Sequence, residues 1–162
     1  MKIVLGLFAL LLIIVVGSKF AMDYLANNPN PFIKIPTAVI NNQTFKLFIA
    51  KSAKEKEIGL SNKNSLPQDY GMYFPFEKPD YYSFWMKNMK FPIDMIFLSN
   101  NRIVTIYENL EPPSEDLKSP PLYKSNEPAD AVLEINAGQA KKYNIKKGDE
   151  VKTTLDVVKI EK

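Results

Sequence analysis

The sequence predicts an α+β, mainly β domain: a small curled sheet or β-barrel with one or two short helices, preceded by an N-terminal membrane helix. Many short runs rich in β-branched and aromatic residues are separated by asparagine, proline and glycine, which is typical of short strands joined by turns. Only two short segments carry helix signals, and strands and helices do not alternate as they do in a parallel α/β sheet. A long apolar run stands at the start of the chain.

The composition excludes several kinds of chemistry. The 162 residues include no histidine and no cysteine, which excludes disulfides, thiolate or imidazole metal sites and the usual Ser-His-Asp and Cys-His catalytic arrangements. We therefore expect no metal and no cofactor. Lys2 and Lys19 account for two of the three net positive charges and no acid precedes Asp23, so the rest of the chain carries +1. Nucleic acid is not an expected partner, because no basic stripe is available to hold phosphates.

Residues 3–16, IVLGLFALLLIIVV, form an uninterrupted apolar run behind Lys2. As a helix, residues 3–18 would span roughly 24 Å of a hydrocarbon core about 30 Å thick. The run fits either an uncleaved single-pass anchor or a cleaved signal peptide, for which residues 16–18 offer small residues. Lys2 favours a cytoplasmic start, which predicts a cell-membrane protein with its domain outside the cytoplasm. The alternative is a secreted or periplasmic protein.

The remaining chain divides into a spacer and one domain. We assign residues 1–25 to the signal-anchor or signal peptide, residues 26–35 to a spacer containing NNPNP, and residues 36–162 to the domain. Prolines and asparagines end any helix in the spacer.

Within the domain, turn signals separate the predicted elements. Asn41-Asn42 and Asn100-Asn101 each lie between β-rich runs and predict hairpins, because asparagine tolerates the positive φ of tight turns. Ser52 followed by Glu55 has the spacing of a capping box and predicts a short helix. Further strands are predicted at GMYFPF, AVLEIN and EVKTTLDVVKI, a helical turn at AGQAKKYN, and an irregular proline-rich loop over residues 110–128.

The most unusual stretch is YYSFWMKNMKFPIDMIF, residues 81–97, in which charged residues interrupt an aromatic run. Read as extended chain, residues 81–91 are largely apolar on both faces, which predicts a central strand buried on both sides. Lys87 and Asp94 would then need partners, because an unpaired buried charge is unfavourable by several kcal/mol. One interpretation is a purely structural ion pair between them.

The segment FWMKNMKFPIDMIF resembles the signature of the domain of unknown function 192 family, also called uncharacterised protein family 0127. The resemblance extends over residues 45–151. Other segments similar to those of the family follow in order: KEIGLSNKNSL, GMYFPF, FLSNNRIVTIYEN, YKS, PADAVLEINAG and NIKKGDEV. The resemblance implies a small single domain with a compact β-barrel-like core, often exported or membrane-anchored. It implies no established activity.

A second interpretation of the central stretch is a ligand cleft. A binding pocket needs an apolar wall and a few convergent polar groups, and the predicted set of ligand-binding residues is Trp85, Lys87, Asn88, Asp94 and Glu134. Aromatic faces suit sugars and cations. The leading hypothesis is therefore a module at the cell envelope that binds a small ligand such as a glycan or peptide.

Two alternatives remain from the sequence. Asp94 and Glu134 could act as the general acid and base of an envelope hydrolase that depends on carboxylate or lysine chemistry, although catalytic residues cannot be assigned. The chain could also be an accessory protein that binds another membrane protein through its proline-rich loop.

Overall fold

The computed structural model describes residues 35–114 and 121–155, together with the single position Lys19. Residues Ile35–Asp156 form one compact unit. Its described part contains nine strands and two short helices: β1 (Thr37–Ile40), β2 (Gln43–Ile49), α1 (Ala53–Ile58), β3 (Tyr70–Asp80), β4 (Ser83–Trp85), β5 (Ile93–Ser99), β6 (Arg102–Leu110), β7 (Leu122–Lys124), β8 (Ala129–Asn136), α2 (Gln139–Lys142) and β9 (Lys152–Thr154).

The predicted N-terminal helix within residues 1–25 lies, apart from Lys19, outside the described residues. In the part of the chain that the structure describes, no helix is both long and apolar enough to cross a membrane.

Seven strands form one sheet in the order β6-β5-β8-β3-β2-β1-β9, and β4 and β7 form a separate two-stranded sheet. The β2–β3 pair is parallel, and the other pairs are antiparallel. The two ends of the large sheet approach each other. Ile103 N–H donates to the carbonyl of Asp149 at 3.0 Å, and Val151 N–H donates to the carbonyl of Asn101 at 2.8 Å. The sheet is therefore a curled half-barrel, which confirms the prediction of a mainly β domain with two short helices.

The predicted turns and cap are present. Asn41 and Asn42 have φ values of 48° and 66°, and Asn100 and Asn101 have 49° and 61°, as the hairpin turns require. At the start of α1, the Ser52 side chain accepts from the backbone of the third helical residue, whose side chain accepts in return from the Ser52 backbone. This reciprocal cap satisfies two N–H groups that the helix itself leaves unpaired.

Both faces of the large sheet are buried. The cluster on one face includes Phe45, Ile96 and Leu133, and α2 covers it through Ala140. The cluster on the opposite face includes Phe74, Met95 and Phe97, and it packs against partly buried aromatic side chains from the β4–β7 sheet. The strands buried on both sides are β5 and β8, not residues 81–91.

The prediction of a central strand over residues 81–91 is therefore wrong. Only Ser83–Trp85 is a strand, and its partner β7 lies in the segment predicted as an irregular loop. After β4, Asn88 adopts a φ of 58° and Met89 N–H donates to the carbonyl of Met86, so a turn ends the extended chain. The stretch covers one face of the large sheet, with Phe84 half-buried and Trp85 exposed. Apolar alternation looks the same in a covering strand as in a central one.

Asp94 is fully buried in β5, and its carboxylate accepts three backbone hydrogen bonds. The donors are the N–H groups of Asn109 at 2.8 Å, Gly138 at 3.1 Å and Ala140 at 2.8 Å. Asn109 and Gly138 have positive φ values. The carboxylate thus joins β5 to the end of β6 and to the start of α2. The predicted ion pair with Lys87 is wrong, because no such pair forms among the described residues and backbone groups supply the donors.

Replacing Asp94 with Asn should lower the free energy of unfolding by about 3 kcal/mol or more. The amide nitrogen would face at least one N–H group that needs an acceptor, and the bonds that remain would lose the charge of their acceptor. Buried hydrogen bonds to a charged group contribute about 1.5–3 kcal/mol each. Urea denaturation of both proteins measures the difference. The matched control is Asp80→Asn, an exposed position whose carboxylate accepts from Tyr81 N–H, where a change within about 1 kcal/mol is expected. Equal losses in both variants would contradict a structural role specific to Asp94.

Candidate functional site

A cavity of about 270 Å³ lies between the end of α1, the β4 segment and the face of the large sheet that carries Phe74. Its walls carry five aromatic side chains and four ionisable ones. Its lining comprises residues 56–61, Phe74, Phe76, residues 82–85, Lys87, Met89 and Glu134.

The end of α1 forms one wall because the helix stops at Gly59. This residue has a φ of +50°, which strains any residue with a side chain, and its N–H donates to the carbonyl of Glu55 at 2.8 Å. The chain then reverses, which buries Leu60 against the sheet. Lys56, in the last turn of α1, lines the cavity together with Gly59 and Leu60.

The opposite wall is a layer of aromatic rings fixed against one another. The Phe76 and Tyr82 rings stack with centroids 3.6 Å apart, and Phe84 meets Phe74 edge to face at 5.1 Å. Phe84 also contacts Phe97 of β5 at 5.8 Å. Edge-to-face aromatic pairs are favourable beyond their buried area. The wall is therefore held in place before any ligand arrives.

Glu134 supplies the buried carboxyl group of the cavity. It lies in β8 opposite Met72 and Met95, is 5% exposed, and has no hydrogen-bond partner among the described residues. Gln139 Oε1 is the only fully enclosed side-chain nitrogen or oxygen in the described part that lacks a partner, so the oxygens of Glu134 are not fully enclosed, and Glu134 lines the cavity. Burial raises the pKa of the Glu134 carboxyl from 4.5 to about 8. At neutral pH this group is mostly a neutral acid.

Two lysines lie where the cavity meets solvent. The ammonium of Lys56 is 4.6 Å from the centre of the Phe76 ring, and that of Lys87 is 5.0 Å from the centre of the Trp85 ring. Neither lysine forms an ion pair with a carboxylate of the described residues. Glu57 is the one acidic residue of this rim. The rim therefore carries a net positive charge above a neutral floor.

The structure brings together some of the predicted site residues and separates others. Trp85, Lys87 and Glu134 line the cavity, while Asn88 lines an adjoining groove of about 310 Å³ that shares Trp85 and Lys87. Asp94 does not line either space. It is paired with Ile135 rather than Glu134 across β5 and β8, so the two carboxyl groups lie on opposite faces of the sheet. The prediction that they form one acid–base pair is wrong.

Sequence reasoning missed Lys56 and Glu57, which it would place on a solvated helix face. No local signal marked these two residues, because the wall forms only where the end of α1 meets the β4 segment, which is distant in sequence. In the described part, no group of three or more acidic side chains is arranged to hold a metal ion. The site offers one protonated carboxyl, aromatic faces and a cationic rim.

Replacing Glu134 with Gln should change how stability depends on pH. In the wild type the unfolded chain loses the Glu134 proton above pH 4.5 while the folded chain keeps it until about pH 8. The contribution of this group to stability is thus complete below pH 4.5 and is lost as pH rises to 8, with a slope of up to about 1.4 kcal/mol per pH unit. The Gln variant lacks this loss, so its stability relative to wild type should rise from pH 5 to pH 8.

Urea denaturation at several pH values measures this difference. The exposed β3 variant Glu77→Gln is the matched control and should follow the wild-type curve. Parallel curves for wild type and Glu134→Gln would contradict a carboxyl that stays protonated in the folded protein.

The comparisons with known proteins agree with this fold. A protein of unknown function from Novosphingobium aromaticivorans is 31% identical with a TM-score of 0.65, and the match covers 77% of this chain and 89% of that chain. A Sinorhizobium meliloti protein described as a candidate transcription regulator is 30% identical with a TM-score of 0.65, over 73% of this chain and 91% of that one. No curated protein matches the sequence. Residues 36–153 match the DUF192 family, described as Uncharacterized ACR, and the chain therefore belongs to the DUF192 family.

Proposed function

We propose that the protein is a ligand-binding module of the cell envelope, and that the cavity beside Glu134 is its binding site. The observation that carries the proposal is a buried carboxyl group that lacks a hydrogen-bond partner among the described residues and opens into an apolar cavity. Buried polar groups are nearly always satisfied, and exceptions concentrate at functional sites. A concave apolar site with a few polar groups is the usual form of a small-molecule site.

The shape of the site favours an extended ligand such as a glycan or a peptide. A volume of about 270 Å³ accommodates one sugar ring or one side chain rather than a large molecule. The adjoining groove shares Trp85 and Lys87 with the cavity, so a second unit of the same ligand would lie there beside Asn88. Tyrosine and tryptophan at the border offer flat faces with polar edges, which suit both ligand classes.

The envelope location rests on the apolar run in residues 3–16. Such a run behind a basic residue favours an uncleaved membrane anchor with the domain outside the cytoplasm, and a cleaved signal would give a secreted or periplasmic protein. Binding to nucleic acid is not proposed, because the net charge outside the first 20 residues is only +1.

A second candidate function is hydrolysis of an envelope glycan or peptide. The observation that favours it is the Glu134 carboxyl, whose raised pKa of about 8 suits a general acid near neutral pH. Glu57 and Lys87 line the same cavity and would be the other reacting groups. An accessory role through the proline-rich segment stays a prediction, since residues 115–120 lie outside the described part.

The ligand-binding proposal predicts a thermal shift. The full chain in detergent, screened against sugars, peptidoglycan fragments and short peptides, should melt about 10 °C higher with a ligand present at 100 times its Kd. Trp85→Ala and Glu134→Ala should abolish the shift, because both side chains line the cavity. Tyr81→Ala removes an exposed aromatic residue that does not line the cavity and should keep the shift.

Several outcomes separate the candidates. No shift with any compound would contradict ligand binding, and a shift that survives both cavity variants would place the binding site elsewhere. Hydrolysis would replace binding as the function if a compound that shifts the melting temperature is also converted to product. The rate of that reaction should then show a bell-shaped pH profile, which Glu134→Gln should lose.

A further inference from the structure

The charges around the cavity are arranged in a way that selects among ligands. Lys56 and Lys87 stand at the rim without a carboxylate partner in the described chain, and Glu57 offsets only one of them. A partly enclosed apolar site strengthens the field of such charges compared with open water. An approaching anion is therefore attracted to the mouth, and a cation is repelled from it.

The floor of the cavity also disfavours a cation. Glu134 lies among methionine and phenylalanine side chains on its face of the sheet, which do not stabilise a negative charge. An ammonium ligand would have to ionise this carboxyl and also pass the two rim lysines. A neutral carboxyl instead offers one O–H donor and one carbonyl acceptor on the same planar group. An amide has the complementary pair, a carbonyl acceptor and an N–H donor.

The walls between rim and floor contact the apolar part of the ligand that carries these two groups. Phe76 and Phe84 present apolar faces and edges, and Met89 adds a flexible apolar side chain. The ligand body at this depth is therefore a hydrocarbon or the apolar face of a sugar ring. Polar groups at this level would lose their hydrogen bonds to water without replacement.

We propose that the cavity binds a carboxylate that also carries an amide, with the amide paired to the Glu134 carboxyl and the anionic group placed between Lys56 and Lys87. The inference rests on the proposed function, since it names the ligand class of the same cavity. Two sources share this chemistry. One is the C-terminal end of a peptide or an N-acylated amino acid, and the other is an N-acetylated acidic sugar.

Isothermal titration of the full chain in detergent with matched probes tests the inference. The peptide-like probe is N-acetylphenylalanine, compared with its uncharged methylamide, with 3-phenylpropionate, which lacks the amide, and with 2-phenylethylamine, which is a cation. The sugar probe is N-acetylmuramic acid, compared with uncharged N-acetylglucosamine. The probe that carries both an amide and a carboxylate should bind at least tenfold more tightly than each probe that lacks one of them. Whichever such probe binds more tightly identifies the source.

Variants assign each half of the ligand to its partner. The double variant Lys56→Gln, Lys87→Gln should reduce the preference for the charged probe to less than threefold. Glu134→Gln should keep binding, because a carboxamide also offers one donor and one acceptor, whereas Glu134→Leu should lose it. Circular dichroism and urea denaturation establish that each variant is folded before titration.

The pH dependence supplies an independent readout. If the ligand pairs with the protonated carboxyl, wild-type affinity should be constant from about pH 5, where the ligand carboxylate is fully ionised, to about pH 8, and should fall tenfold per pH unit above it. Glu134→Gln should lose that fall. An amine that binds most tightly, with affinity rising up to pH 8, would overturn the inference, as would equal binding of charged and uncharged probes. In both cases the cavity would still be a binding site. If neither these probes nor the sugars, peptidoglycan fragments and peptides of the thermal-shift screen bind, the proposed function is overturned as well.

Discussion

A sheet that must be covered on both faces determines the rest of this structure. Strands β5 and β8 are buried on both sides, so each face of the half-barrel needs a cover. Helix α2 and the segment after it cover one face. The other face is covered by Leu60 and Leu66, which follow α1, and by the aromatic β4–β7 layer. The second cover is assembled from separate short elements, and the space left where they meet is the cavity.

Two buried carboxyl groups on neighbouring strands show how the two faces differ. Asp94 accepts three backbone N–H groups, which stabilise its negative charge and fix α2 and the end of β6 against the sheet. Glu134 has no such donor in the described structure, and burial raises its pKa. A carboxyl whose hydrogen bonds are complete serves the fold. One whose hydrogen bonds are left open is available to a ligand.

Turns and helix caps could be predicted from the sequence, because they depend on neighbouring residues. Contacts between residues distant in sequence could not. The asparagine pairs and the Ser52–Glu55 cap act within four residues, so their structures follow from spacing alone. The donors to Asp94 come from residues 15 to 46 positions away, and nothing in the local pattern indicates them. The grouping of Trp85, Lys87 and Glu134 was predictable from residue types. Whether Trp85 faced a core or a cavity depended on β7, which pairs with β4 from across a proline-rich segment.

The choice of glutamate at position 134 lowers stability near neutral pH, since the folded chain must keep a proton that the unfolded chain releases. The flanking positions of β8 are Leu133 and Ile135, both fully buried, so the strand readily accommodates apolar side chains. Filling position 134 in the same way would close the floor of the cavity and remove the partnerless carboxyl. Proteins commonly retain such a loss of stability where function requires the group. A ligand that donates to and accepts from this carboxyl would restore the missing hydrogen bonds, so binding and stability are coupled through one side chain.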